Sequence, residues 1–438
     1  MKIYLDLVGC RLNQAEIEKY ARQFRAAGHS LTSNPEEADL VVINTCAVTR
    51  AAAADSRKKI RHAARVGAKE IAVTGCWSTL NSRNAADLQS VQHVISNTQK
   101  DHLVSTILNL QENQFDLEPI QRKPIPGTRS RTRAFIKVQD GCDNRCTFCV
   151  TTLARGQGSS RLIDDILDDI RAALDASEPL LAAKEIVLTG VHLGSWGQDF
   201  SPSLHLRHLV KTILRETNVP RLRLSSLEPW DLDEDFFALW EDPRLCRHLH
   251  LPLQSGCQRT LRRMARKTTP RSFSRLVDAA RTTIPGIAIT TDIMAGFPGE
   301  TESEFEHSLA FVETMEFAGG HVFTYSPRPG TAAAKMSEQV PHPVRKARNN
   351  RLRSVLEKSA RRYQQRFVGQ TLPVLWESAT NLGPGNWQLS GLTDNYLRIH
   401  ALAAQELWNQ ITPVRVTQLN GDGLTGDLSF FSNTIGFN

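Results

Sequence analysis

The chain has 438 residues, 40% of them hydrophobic and 23% charged, which suits two to four folded units and excludes a largely disordered polymer or a disulfide-stapled mini-protein. Lys and Arg number 53 against 46 Asp and Glu, a net charge of +7, which permits contact with a phosphate backbone without requiring it. No apolar run reaches bilayer length, and MKIYLDLVGCRLNQ lacks the features of a secretory signal, so a cytoplasmic chain with no membrane attachment is expected. In that compartment clustered cysteines point to metal or redox work rather than disulfides.

Short β-branched runs at Ile3 to Val8, Leu40 to Ile43 and Ile71 to Val73 alternate with helical spacing at Asn13 to Ala27 and Arg50 to Val66. This is the pattern of a parallel α/β sheet. Cys10, Cys46 and Cys76 each follow one of these strands, at the edge where open α/β sheets build their sites. Taken singly, each reads equally as a buried apolar cysteine. Residues 123–133 then read as a linker rich in Pro, Gly and Arg.

From Ala134 the strand-then-helix pattern resumes, with strands expected at Ala134 to Val138, Glu185 to Leu188, Arg221 to Leu224, His248 to Leu251, Ala288 to Ile293 and Gly320 to Thr324. Six such repeats predict a barrel or partial barrel with its chemistry at the C-terminal strand ends. A basic helix from Pro343 to about Phe367 follows; between Val344 and Arg366 nine Lys or Arg face Glu357 alone. From Gln370 the segments LPVLWES, WQLSGL, YLRIHAL, ITPVRVTQL and LTGDLSFF alternate between turn residues, predicting a five-stranded β-barrel. The fold class is therefore α/β, closed by a small all-β module.

The sharpest local signal is Cys142, Cys146 and Cys149 in GCDNRCTFC, directly after the first barrel strand. With 8 cysteines in 438 residues, chance would produce this spacing in roughly 0.3% of such chains. Zinc and iron-sulfur both take thiolates. A structural zinc wants a fourth ligand nearby, yet the next His is His192 and the next Cys is Cys246. Three thiolates on a 4Fe-4S cluster would leave one iron open to a substrate.

CxxxCxxC after the first strand of a βα barrel resembles the radical S-adenosylmethionine superfamily. GCRLNQAE, NTCAVT and TGCW resemble the amino-terminal domain of the methylthiotransferases, and GLTDNYLRIH resembles the central phrase of RNA-binding TRAM modules. The resemblance spans nearly the whole chain. It implies an amino-terminal domain over residues 1–122 holding an auxiliary 4Fe-4S cluster on Cys10, Cys46 and Cys76. It implies a radical barrel with its basic helix over 134–366, holding a second 4Fe-4S cluster on Cys142, Cys146 and Cys149, and a TRAM-like domain over 367–432. S-adenosyl-L-methionine would be bound by Thr189 and Gly190 in LTGVHLG, Ser226 and Glu228 in LRLSSLEP, Gln254 in HLPLQSG and Asp292 in TDIMAGFPGE. An external electron donor such as flavodoxin or ferredoxin is implied, and DNA is not a partner.

NTCAVT, ADSRKKIRH, LTGVHLGSWG and HVFTYSPRPGTAA resemble the branch of the family that acts on threonylcarbamoyl-adenosine. That branch implies methylthiolation at C2 of the base at tRNA position 37, with the anticodon stem-loop as partner. The alternatives are isopentenyl-adenosine in tRNA, an aspartate of a ribosomal protein, or a non-enzymatic RNA-binding protein holding zinc. Trp376, Trp387, Tyr396 and Trp408 beside the basic helix are expected to stack on unpaired bases, with at least one of them in the barrel core. Two local departures from the family stand out, TGCWST and Thr152. Cys246 and Cys257 fit neither trio and read as structural, and no role is assigned to the histidines.

Overall fold

The computed structural model describes residues 1–110, 125–126, 132–175, 181–421 and 423–428. Most of the linker expected at 123–133, and the last residues of the tail, lie outside them. Five parallel strands come first: β1 (Lys2–Leu7), β2 (Ser30–Leu31), β3 (Leu40–Thr45), β4 (Glu70–Gly75) and β5 (Val91–Val94), in the order β2-β1-β3-β4-β5. Every residue of β3 is buried, because the sheet is covered on both faces. Leu40 and Val42 pack with Ile17, Tyr20 and Phe24 of the helix Arg11–Ala26, while Val41 and Ile43 pack with Ile60 of the helix Arg50–Arg65. The expected strands are present. The edge strands β2 and β5 carry no legible pattern, being short and half-exposed.

The central unit contains the short hairpin β7 (Gln139–Asp140) with β8 (Ser159–Ser160), and six longer strands: β6 (Arg133–Lys137), β9 (Glu185–Thr189), β10 (Leu222–Leu224), β11 (His248–His250), β12 (Ala288–Ala295) and β13 (Gly319–Thr324). Parallel pairing gives β10-β9-β6 and β11-β12-β13. The bridges Leu222 to Leu245 and Ser226 to His250 join the two triplets into an open arc. Alternation along the strands sends Ile136, Ile186, Leu188, Leu222, Leu224 and Leu249 into the main core. Phe135 and Val187, on the other face, pack instead against Ala15 of the amino-terminal unit.

The tail is a closed barrel of β14 (Thr371–Gly383), β15 (Asn386–Thr393), β16 (Arg398–Ala403), β17 (Ile411–Asn420) and β18 (Gly423–Asp427). It rests on the starts of the central strands. Arg221 donates to the carbonyls of Leu392 (3.1 Å) and Pro373 (2.8 Å), Arg223 to those of Thr393 and Asp394, and Arg247 pairs with the Asp394 carboxylate at 2.6 Å. Trp376 is fully buried in the core of this barrel, so it is not available for stacking. Tyr396 is also engaged: its ring stacks on His248 at 4.1 Å and its hydroxyl accepts from Arg11 at 2.9 Å.

The basic helix spans His342–Gln365. Much of its charge is spent internally, since Arg348 is buried against Glu300 and Glu302, and Arg351 pairs with Glu306. Lys346, Arg353, Lys358 and Arg361 remain exposed. Among the described residues no helix is long and apolar enough to cross a membrane.

Candidate active site

Each early cysteine sits where a strand gives out. Cys10 caps the helix Arg11–Ala26 just beyond β1, Cys46 follows β3, and Cys76 opens the helix Cys76–Leu80 directly after β4. Gly9, at φ +113°, lets the first turn press onto the second: a Cβ there would lie 2.8 Å from the Cys46 sulfur. Asn13 ties the same two ends together, with its Nδ2 donating to Val8 (2.7 Å) and Thr45 (3.3 Å) and its Oδ1 lying 3.6 Å from the Cys10 sulfur. Cys46 and Cys76 are buried, whereas Cys10 is exposed. Burial pushes the Cys46 thiol up to about 11, so a cationic group is needed to hold it as thiolate.

Gly75 brings β4 onto β3. Its φ is +95°, and a Cβ would meet the Thr45 carbonyl at 2.3 Å. Gly75→Ala is therefore expected to cost on the order of 2 kcal/mol and to displace Cys76, read as a lower unfolding temperature in calorimetry.

Cys142, Cys146 and Cys149 lie half-buried on the loop between β7 and the helix Thr151–Arg155. The loop is pinned by Thr147 donating to the Arg263 carbonyl at 2.8 Å and by Thr152 donating to the Asn144 carbonyl at 3.2 Å. Thr152, the departure noted in the sequence, thus closes the loop with its hydroxyl. The Thr151 amide donates to the Cys149 sulfur at 3.3 Å.

The two trios meet. The helix that Cys76 opens packs on the helix that follows Cys149, with Ala154 in the same apolar cluster as Cys76 and Trp77. Arg155 Nε donates to the Cys76 sulfur at 3.3 Å, and Asn97 reaches from the Cys76 sulfur (3.7 Å) to the Ala154 carbonyl (2.8 Å). No group of three or more His, Cys, Asp or Glu side chains among the described residues is set to hold a single metal ion. A four-iron cluster binds each thiolate to a different iron and does not need them to converge; two all-thiol trios at strand ends fit it by donor chemistry.

The candidates for S-adenosylmethionine lie at or just beyond the ends of β9 to β11, except Asp292, which lies within β12. Thr189 closes β9 and is buried. Gly190 follows it, and a Cβ there would press on the Gln139 side chain at 3.0 Å. Ser226 bridges to His250, whose ring contacts Asp292 at 3.3 Å, and the Gln254 amide donates to the Asp292 carbonyl at 2.8 Å. Gln254 holds φ +68°, a conformation costly for a side-chain residue and frequent at working sites. Glu228 is engaged in a bidentate pair with Arg266 (2.6 and 3.0 Å).

Several residues here were passed over in the sequence. Arg266 stacks over Trp230 at 4.4 Å and reaches toward the Cys146 sulfur at 3.8 Å. His192, within the quoted phrase LTGVHLG, bonds Asp231 at 2.6 Å and lies beside Cys142. Burial favours its neutral ring, but its hydrogen bonds to Asp231 and Cys142 and their charges outweigh that and raise it to about 10. Asp231 also explains Gly194, where a Cβ would meet its carboxylate at 2.3 Å. Cys246 and Cys257 are buried outside both trios, Cys246 against the Glu185 carboxylate.

Residues 2–96 match the model of the uncharacterized protein family UPF0004, and residues 136–312 that of the radical SAM superfamily. The chain is 35% identical to the threonylcarbamoyladenosine tRNA methylthiotransferase MtaB of Thermotoga maritima, covering 96% of each chain. It is 32% identical to the MtaB of Bacillus subtilis, over 93% of this chain and 92% of the relative. A tRNA-2-methylthio-N(6)-dimethylallyladenosine synthase of Geobacillus kaustophilus is 31% identical over 98% of this chain and 82% of its own. Among solved structures, the radical S-adenosylmethionine methyltransferase TsrM of Kitasatospora setae superposes with a TM-score of 0.57 at 15% identity, over 76% of this chain and 75% of that one, a likeness of fold alone.

Proposed function

Because the chain belongs to the methylthiotransferase family of radical S-adenosylmethionine enzymes, we propose that this transferase methylthiolates C2 of N6-threonylcarbamoyladenosine at tRNA position 37, using two 4Fe-4S clusters. The observation that carries the reading is the Arg155 to Cys76 bond, which joins the helix following the second trio to a cysteine of the first. The MtaB relatives, and the phrases NTCAVT and HVFTYSPRPGTAA, favour the threonylcarbamoyl substrate. Those two phrases also touch: Arg328 donates to the Val48 carbonyl at 3.0 Å.

When bound, the clusters and S-adenosylmethionine supply hydrogen-atom abstraction and sulfur transfer, chemistry that no side-chain acid or base provides at an unactivated carbon. The chain's part is to hold and exclude. Cys142, Cys146 and Cys149 hold the radical cluster, and Cys10, Cys46 and Cys76 the auxiliary one. Thr189, Gly190, Ser226, Gln254 and Asp292 line the place for S-adenosylmethionine, and Arg266 fixes Glu228 there. The exposed cations of the basic helix follow RNA phosphates, with half-buried Trp387 and Trp408 as the remaining stacking surfaces. The enzyme would work in the cytoplasm with a low-potential donor of the flavodoxin or ferredoxin kind.

The test is mass spectrometry of nucleosides after anaerobic incubation of reconstituted enzyme, S-adenosylmethionine, reductant and hypomodified tRNA. The 2-methylthio form of threonylcarbamoyladenosine is expected. Product on isopentenyl-adenosine alone, or an unchanged nucleoside profile, rejects this substrate.

A further inference from the structure

Between the trios lies a buried ionic network that the ligand sets do not require. Arg155, with 2% of its side chain exposed, donates from Nη1 to Glu16 (3.0 Å) and Asp140 (3.0 Å), from Nη2 to Asn13 Oδ1 (2.8 Å) and from Nε to the Cys76 sulfur (3.3 Å). Lys100, equally buried, pairs with Glu16 at 2.7 Å and with Asp140. Lys137 reaches Asp140 at 3.4 Å and Asp101 at 3.3 Å. Burial alone would raise the Glu16 carboxyl, but Arg155, Lys100 and Lys137 overrule it and hold it at about 2.

Such a network is a poor source of stability, since taking its charges out of water costs about what their pairing returns. Its geometry is more telling. Through Asn13, Arg155 is tied to the turns that carry Cys10 and Cys46, and through Nε to Cys76 itself. Its own backbone continues the loop of Cys142, Cys146 and Cys149. One guanidinium thus registers one trio against the other. With Glu16 and Asp140 occupying Nη1 and Asn13 occupying Nη2, Nε is left to point at sulfur. An N–H donor to a cluster thiolate stabilises the reduced, more negative form and raises the reduction potential.

We infer that Arg155 is a positioning residue for the amino-terminal trio, fixing Cys76 opposite the second trio and raising the reduction potential of the cluster held there. This rests on the proposal that Cys10, Cys46 and Cys76 hold a cluster. The experiment uses the full chain with Cys142, Cys146 and Cys149 all replaced by Ala, reconstituted anaerobically, so that a redox titration followed by electron paramagnetic resonance reads only the remaining cluster. Arg155→Lys keeps the charge and removes the Nε donor. Its cluster is expected to keep its iron and sulfide and to titrate at a more negative midpoint. Arg155→Gln, measured alongside, is expected to shift in the same direction. An unchanged midpoint in either loaded variant overturns the inference. So does loss of the cluster in both, which would make Arg155 an assembly residue. Absence of iron from the Arg155-containing parent rejects the underlying two-cluster reading instead.

Discussion

Replacing Cys10, Cys46 and Cys76 together with Ala will leave a chain that still cleaves S-adenosylmethionine to 5′-deoxyadenosine but forms no methylthio product. Replacing Cys142, Cys146 and Cys149 will abolish both activities. The asymmetry follows from placement. The second trio sits on the loop that follows β7, beside His192 and the Arg266–Glu228 pair, where S-adenosylmethionine would be held. The first sits on a separate sheet and is joined to the central unit through Arg155 and Asn97. Each triple variant should retain the iron and sulfide of one cluster, measured chemically on anaerobically reconstituted protein, while chromatography and nucleoside mass spectrometry score the two products. Methylthio product from the first variant would remove the auxiliary cluster from the reaction. Zinc in place of iron in the parent chain would remove the enzyme reading altogether.

Glu185→Ala will be the most destabilising single change to the central unit. Glu185 and Arg223 are a bidentate pair at 2.7 and 2.9 Å with no exposed side-chain surface on either partner. Removing the carboxylate leaves Arg223 charged and buried, at a cost of about 3–5 kcal/mol. Arg223 also donates to the carbonyls of Thr393 and Asp394, so the seat of the small barrel loosens too. For a unit of this size the loss corresponds to a fall on the order of 10 °C in unfolding temperature, read by calorimetry. Joint replacement of Glu185 and Arg223 by apolar residues of similar volume should recover part of it. A shift near zero for Glu185→Ala would show that Arg223 has another counter-charge.

What the sequence disclosed was whatever is encoded locally. Strand runs, the cysteines at their ends and the CxxxCxxC spacing were legible because each depends on a few consecutive residues. Arg155, His192 and Arg266 were not, because their meaning lies in contacts made across the chain: Arg155 meets Asn13 and Cys76 from 142 and 79 positions away, and Arg266 meets Cys146 from 120. The tail shows the same limit differently. Alternation located five strands, but the same pattern serves an aromatic in the barrel core, as Trp376, and one held against a neighbouring unit, as Tyr396. In the basic helix, net charge gave no sign that Arg348 and Arg351 are matched by acids on the helix Glu302–Thr314.

The amino-terminal unit covers part of the second face of the six-stranded arc. Its first helix lies on β6, and Val48 meets Arg328 on the segment following β13. A chain trimmed to the arc alone would therefore bare the apolar patch at Phe135 and Val187 that Ala15 covers. Bare apolar surface of that kind recruits other copies. A foreign domain set in place of the amino-terminal unit would have to cover that patch anew.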